Sequence, residues 1–416
     1  MSSGRLLSWL RDAPADARRA LLAASLGWAL DAFDTMLYAL ILPSIMVSLH
    51  LTKSSAGLLG SLTLIAAAVG GLLLGLAADR YGRTRAMIAS VLLYAVFTAA
   101  CGLAWSFASL ALFRILLGLG MGGEWATGAS LVADNWQGPH RDKALALMQS
   151  AFAFGYGLAA IVVLLMEPRV GWRGVFFIGL LPALLTLWIR RRVRETAVVH
   201  GKRTRSVGAP LAQLFKPPLR RYTIALTLMN ACCLFAWWGF NLWVPSYLSL
   251  PVVRGGIGLT PRTMTVLIIA MQIGMWLGYI CFGYLAPAFG RRRIYIGFLL
   301  CASALLTLYA DVRSPWLLVV LGPCLAFVAT GYFSGFAAVT AETYPDAIRS
   351  TGQGFTYNFG RLASAAAPYA AGTLAQRHSF ASAFHLDAVA FLLAAALWLW
   401  IPSRLPTLEL NGTAVT

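Results

Sequence analysis

Four charged side chains stand inside apolar runs of about 20 residues, a length that spans a bilayer and in which an unpaired charge is costly. Asp31 and Asp34 share one run, Arg114 lies in another, and Arg361 in a third. Two carboxylates one turn apart in a low-dielectric helix repel, so at least one of them should take up a proton. Three residues turn through about 300° of helix, so both can project toward one wall. Arg361 has no acid in its own run, and a buried guanidinium fork of that kind suits a carboxylate, which it can grip through two parallel hydrogen bonds. Arg114 is expected to hold one aspartate ionised, and a purely structural Asp–Arg bridge is the alternative. Glu124 is the next candidate for carrying a proton.

The elements that must position these groups follow from composition. Of 416 residues, 59% are hydrophobic and 12% charged, whereas in soluble domains about a quarter are charged. Apolar runs recur at about 20 to 47, 54 to 78, 86 to 106, 107 to 133, 143 to 166 and 171 to 190. They resume at about 222 to 249, 262 to 287, 293 to 312, 315 to 340, 351 to 376 and 380 to 401. These are spans 1 to 12 of an all-α integral membrane protein. The basic stretch 191 to 221, with Pro210, Pro217 and Pro218, is a linker between an N-terminal bundle (1 to 190) and a C-terminal bundle (222 to 416), six helices each.

With the N-terminus inside, 24 Lys and Arg fall on the cytoplasmic side and 7 on the outer side, with Arg114 and Arg361 left within spans. The positive-inside rule then places both termini in the cytoplasm and the chain in a cell inner membrane. That distribution also accounts for the net charge of +18 without a nucleic-acid partner. The six cysteines all fall in spans and read as buried thiols, the five histidines are dispersed, and no G-x-x-x-x-G-K loop occurs. Neither a metal, a cofactor nor an enzyme's catalytic constellation is expected.

The halves repeat. Gly75, Gly82, Arg83 and Arg85 recur 208 residues later as Gly283, Gly290, Arg291 and Arg293, and Ala133, Asp134 and Arg141 recur as Ala341, Glu342 and Arg349. A constant offset without gaps separates duplication from mere hydrophobicity, giving two pseudo-symmetric six-helix bundles.

The loop GLAADRYGRTR (75 to 85) between spans 2 and 3 resembles the signature loop of the major facilitator superfamily, and RILLGLGMGGEW (114 to 125) is similar to that superfamily's span 4 motif. Gly118 and Gly122, four apart, let another helix approach closely. Within the superfamily, DAFD (31 to 34), QSAFAFGYGLAA (149 to 160) and AETYPDAIRSTGQGFTYNFGR (341 to 361) resemble the carboxylate:proton symporters of the aromatic-acid and sialate or lactate type. The resemblance implies twelve helices around a central site and a requirement for the span 1 acid pair and the span 11 arginine, here Asp31, Asp34 and Arg361. It also implies that Asp79 and Arg83 latch the cytoplasmic ends of the halves. Pro287 replaces the acid in the second copy, and the span 7 signature of fungal lactate permeases is absent from NACCLFAWWGFNLW (230 to 243).

At 1.5 Å per residue, Asp31 and Arg361 each lie about 16 Å into their spans and Arg114 about 12 Å from the outer surface, so all converge near the midplane. Arg361, Arg114, Asn358, Tyr357, Asn241, Trp238, Gln272 and Gln149 are candidates to bind substrate. Asp134, Arg141, Glu342 and Arg349 are either gates or an ordinary interfacial ion network. Asp387 and His385, opening span 12, should be solvated near the outer interface. The expected function is proton-coupled uptake of a small organic anion, a monocarboxylate such as lactate, pyruvate, an aromatic acid or sialate, by a monomer. The alternative is a proton-coupled drug or metabolite exporter, against which Arg361 argues.

Overall fold

The computed structural model describes residues 8–81, 83–136, 140–181, 208–217, 219–345 and 348–401, and the side chains of Asp79, Arg83, Glu124, Asp134, Glu342 and Arg349 lie outside the described residues. Local signals start the helices where the sequence predicts. Ser106 and Ser109 form a reciprocal capping box at Phe107–Asn135 (span 4), and Ser379 caps Phe380–Leu397 (span 12) through the Ser382 amide. Thr260 and Pro261 open Pro261–Phe289 (span 8), where proline's missing donor costs nothing. Span 1 is Ala15–Ser48, span 2 Lys53–Tyr81, span 3 Arg83–Cys101, span 7 Leu219–Ser249 and span 9 Arg291–Asp311.

Three departures have local causes. Span 3 closes at Cys101, not 106, in a turn at Gly102 and Leu103, where a Cβ on Gly102 would lie 2.6 Å from the Arg173 carbonyl oxygen. Spans 5 and 6 run on as His140–Ile178 with a break at Gly171, whose φ of 64° favours glycine. Spans 10 and 11 are each broken. Span 10 runs Pro315–Gly331 then Phe333–Thr343, and span 11 Arg349–Ser364 then Ala367–Arg377, where Pro368 sits at the start of the second piece.

Eight helices among the described residues are long and apolar enough to cross a membrane, and Arg85–Cys101 and Phe107–Gly122 add shorter apolar helices. The protein is a multi-pass membrane protein. Lipid gives helices no hydrophobic reason to associate, so close packing must do so. Spans 2 and 4 show how: a Cβ on Gly122 would lie 1.8 Å from the Ala67 carbonyl oxygen, and one on Gly118 2.4 Å from that of Thr63.

Helices 15–178 pack on one another, as do helices 219–397, and the two groups meet along spans 2 and 11, 5 and 8, and 1 and 7. The face carrying connections 49–52, 250–260 and 378–379 is called the first face below. There Lys53 Nζ donates to the carbonyls of Arg254 (2.8 Å) and Ala375 (3.1 Å), and the Ser54 amide donates to Gln376 Oε1 (3.0 Å).

Candidate functional site

Asp31, Asp34, Arg114 and Arg361 are all buried, none more than 3% exposed. The close approach of spans 2 and 4 brings Thr63 to Arg114, whose Nε donates to Thr63 Oγ1 at 3.0 Å. Its guanidinium carbon lies 4.0 Å from the Tyr38 ring centroid, and Tyr38 is fixed in turn by donating to the Ala56 carbonyl at 2.8 Å. No ion pair joins Arg114 to either aspartate, so the structure has neither the expected Arg114 partner for an ionised aspartate nor the alternative structural bridge between spans 1 and 4. The guanidinium is held by an aromatic face and a hydroxyl, and among the described residues its Nη1 has no hydrogen-bond partner.

The two aspartates also differ more than their spacing suggests. Asp34 accepts a hydrogen bond from Thr98 Oγ1 on span 3 at 3.2 Å, and its Oδ1 lies 3.0 Å from where a Cβ on Gly179 would sit, so it faces the interior of its own helix group. Asp31, one turn away, feels the charge of Arg361 across the seam between groups. Arg361 thus has an acidic neighbour after all, on span 1 rather than span 11. The two form no direct ion pair. Arg361 Nη2 instead donates to the Tyr357 hydroxyl at 3.3 Å, with the guanidinium 5.1 Å from that ring, and neither Arg361 Nε nor Asp31 Oδ1 has a hydrogen-bond partner among the described residues.

Aromatic rings carry the seam. Trp28 and Phe152 are 5.4 Å apart, Phe152 and Trp237 5.2 Å, Trp237 and Trp238 4.7 Å, and Trp237 and Phe333 6.2 Å. The indole nitrogens of Trp28 and Trp237, the Tyr156 hydroxyl and both amide atoms of Gln272 are buried there without hydrogen-bond partners. Buried polar groups are normally satisfied, so orphans gathered from spans 1, 5, 7, 8 and 11 mark where a ligand can supply partners. Thr35, Thr63, Arg114, Trp238 and Pro368 line a small cavity of about 10 Å³, room for one water, between the groups.

Of the other predicted residues, Gln149 shares a side-chain hydrogen bond with Tyr279. Asn241 and Asn358 turn their amides onto carbonyls of their own helices, at Trp237 (3.0 Å) and Gly354 (2.9 Å). Arg141 is half-buried, and Glu124, Asp79, Arg83, Asp134, Glu342 and Arg349 carry side chains outside the described residues. Two thiols, Cys301 and Cys324, are exposed rather than buried, and all six cysteines are free. Sequence reasoning missed Trp28, Tyr38, Thr63, Thr98 and Phe152. Tyr38 stands one turn beyond Asp34, a usable signal, while Thr98 and Phe152 are found only through packing.

A model described as the Major Facilitator Superfamily matches residues 24–255 and 247–414. A probable 4-methylmuconolactone transporter of Cupriavidus pinatubonensis is 32% identical over 93% of this chain and 91% of its own. The sialic acid transporter NanX of Escherichia coli is 30% identical over 92% and 94%. A D-xylose-proton symporter of known structure superposes with a TM-score of 0.74 over 93% of this chain and 99% of its own, at 18% identity, a likeness of fold.

Proposed function

The chain belongs to the Major Facilitator Superfamily, and from that premise we propose that it is a secondary transporter that takes up a small organic monocarboxylate together with a proton. The observation that carries this reading is the pair of buried, unserved groups on opposite sides of the seam: among the described residues neither Asp31 Oδ1 of span 1 nor Arg361 Nε of span 11 has a hydrogen-bond partner. When Asp31 is ionised the pair sums to zero charge and the empty carrier can reorient. Relative to that state, with Arg114 and Asp34 unchanged, a proton alone adds one positive charge and an anion alone adds one negative charge. Either charge is costly in a low-dielectric interior, so only the empty and the doubly loaded forms should cross between states. In this reading Arg361 grips the carboxylate, Asp31 carries the proton, and the wall of Trp28, Phe152, Trp237 and Trp238 receives a flat or ring-shaped body. Among expected substrates this favours an aromatic acid or sialate over lactate and pyruvate, in keeping with the sialic acid transporter among the relatives. A cation exporter is disfavoured, since the site presents two buried arginines.

The bundles 1 to 190 and 222 to 416 rock about the linker 191 to 221 in the proposed cycle, with both termini in the cytoplasm of a cell with an inner membrane. The first face is then the outer one, and the Lys53 contacts hold it closed. Lys53→Met should loosen it. With the native cysteines removed, a cysteine at Ser61, buried in this seam, should label several-fold faster from outside in that variant, as expected for loss of about 1 kcal/mol of hydrogen bonding. Unchanged labelling would remove Lys53 from the gate.

The substrate reading is tested by thermal stabilisation of the purified protein across benzoate, nicotinate, sialate, lactate, pyruvate and an organic cation. Benzoate, nicotinate or sialate should raise the melting temperature, more at acid pH, and the cation should not. Stabilisation by the cation alone would favour the exporter.

A further inference from the structure

The sequence places Asp387 in solvent, but it is 0% exposed and neither carboxyl oxygen has a hydrogen-bond partner among the described residues. Its span 12 packs on spans 7 and 9, and Ser303 Oγ of span 9 bonds the neighbouring Ala388 carbonyl at 2.9 Å, leaving the carboxyl itself unserved. The carboxyl lies directly on the backbone of span 7. A Cβ on Gly239 would come within 2.2 Å of Asp387 Oδ1 and 2.7 Å of its carboxyl carbon. Titratable groups on the surrounding elements include Cys233 and Tyr247 of span 7, Cys301, Tyr309 and Asp311 of span 9, Tyr369 and Arg377 of span 11, and His385 of span 12. None bonds to Asp387. Tyr247 donates to the Val312 carbonyl, and His385 and Asp311 face each other at 3.3 Å.

An ionised carboxylate in such a place would be buried with neither a counter-charge nor a donor, which a protein avoids by keeping the group neutral. Gly239 adjoins Trp238, which lines the central cavity beside Arg114. The packing of span 7 on span 12 and the lining of the substrate site are therefore set by consecutive residues of one helix.

We propose that Asp387 is a regulatory proton-binding site, separate from the transported proton, whose neutral acid lets span 7 seat on span 12. When span 7 bends away, water reaches the carboxyl, which gives its proton to that water and becomes a carboxylate; reseating takes a proton back. Asp387 is seven residues from Phe380 at the first-face end of its helix and ten from Leu397 at the other, so exchange runs through the nearer first face. A proton that returns to the face it left adds nothing to transport stoichiometry. The proposal rests on the alternating-access reading, not on the identity of the substrate or the role of Asp31.

Two variants test it. Asp387→Asn cannot ionise, and Asp387→Leu is close in shape and wholly apolar. Infrared difference spectra at neutral pH, wild type minus each variant, should contain a protonated-carboxyl C=O component from Asp387, beyond any that Asp31 and Asp34 contribute to all three proteins. In proteoliposomes with the pH of each face set separately, Asp387→Asn should keep pH-driven accumulation while its exchange rate loses at least half of the wild-type response to first-face pH. Asp387→Leu should melt no lower than wild type, since the neutral acid has no bonds to lose. An unchanged infrared band, an exchange profile superimposable on wild type, or a destabilised leucine variant would each overturn the assignment. Loss of accumulation in Asp31→Asn but not in Asp387→Asn keeps the two proton sites distinguishable.

Discussion

Arg361→Ala should bind its carboxylate at least about 100-fold more weakly than the wild-type protein, because truncating one side of a buried charge pair costs about 3 kcal/mol or more. Lysine should recover little of this, since it offers a point charge in place of the planar fork. The substitution need not unfold the protein. Among the described residues Arg361 makes one side-chain bond, to the Tyr357 hydroxyl. Isothermal titration or ligand-induced melting of the correctly inserted variant reads the effect. Wild-type affinity in Arg361→Ala would place the carboxylate elsewhere, with Arg114 the next candidate.

Asp31→Asn should separate exchange from accumulation. Asparagine mimics the protonated acid, so Arg361 stays available to the anion and the loaded carrier still crosses. The empty carrier, however, now carries the charge of Arg361 and should return slowly. Substrate counterflow should therefore persist at roughly wild-type rates, while accumulation driven by a pH gradient falls at least about tenfold, the consequence of burying roughly 1.4 kcal/mol or more of uncompensated charge. Asp34→Asn should leave accumulation largely in place, because Asp34 is bonded to Thr98 behind the seam. Retained accumulation in Asp31→Asn and its loss in Asp34→Asn would reverse the assignment.

Much of the fold was legible because its determinants are local or periodic. Apolar run length and the 208-residue repeat each act through neighbouring residues or through a pattern visible in one dimension. Depth could also be counted, and Asp31, Arg114 and Arg361 do lie buried near the seam. What could not be counted was rotation. Two groups at the same depth can face opposite ways round a helix, and Arg114 was paired with the aspartates by depth although it turns to Tyr38 and Thr63. Asp34 was given a cavity wall although it turns to Thr98, and Asp387 was given water although it lies on Gly239. In each case the partner lies on another helix, and only packing decides which.

Coupled uptake in the proposed cycle depends on charge balance at Asp31 and Arg361. With a carboxylate chosen by the stabilisation panel, radiolabelled uptake and internal pH should be followed together in proteoliposomes. The wild-type protein should carry about one proton per anion above the background of Arg361→Ala liposomes, at a rate that rises with an inward pH gradient and does not change when the membrane potential is clamped at different values. Uptake without proton movement, or uptake that follows the potential and ignores the pH gradient, would contradict it.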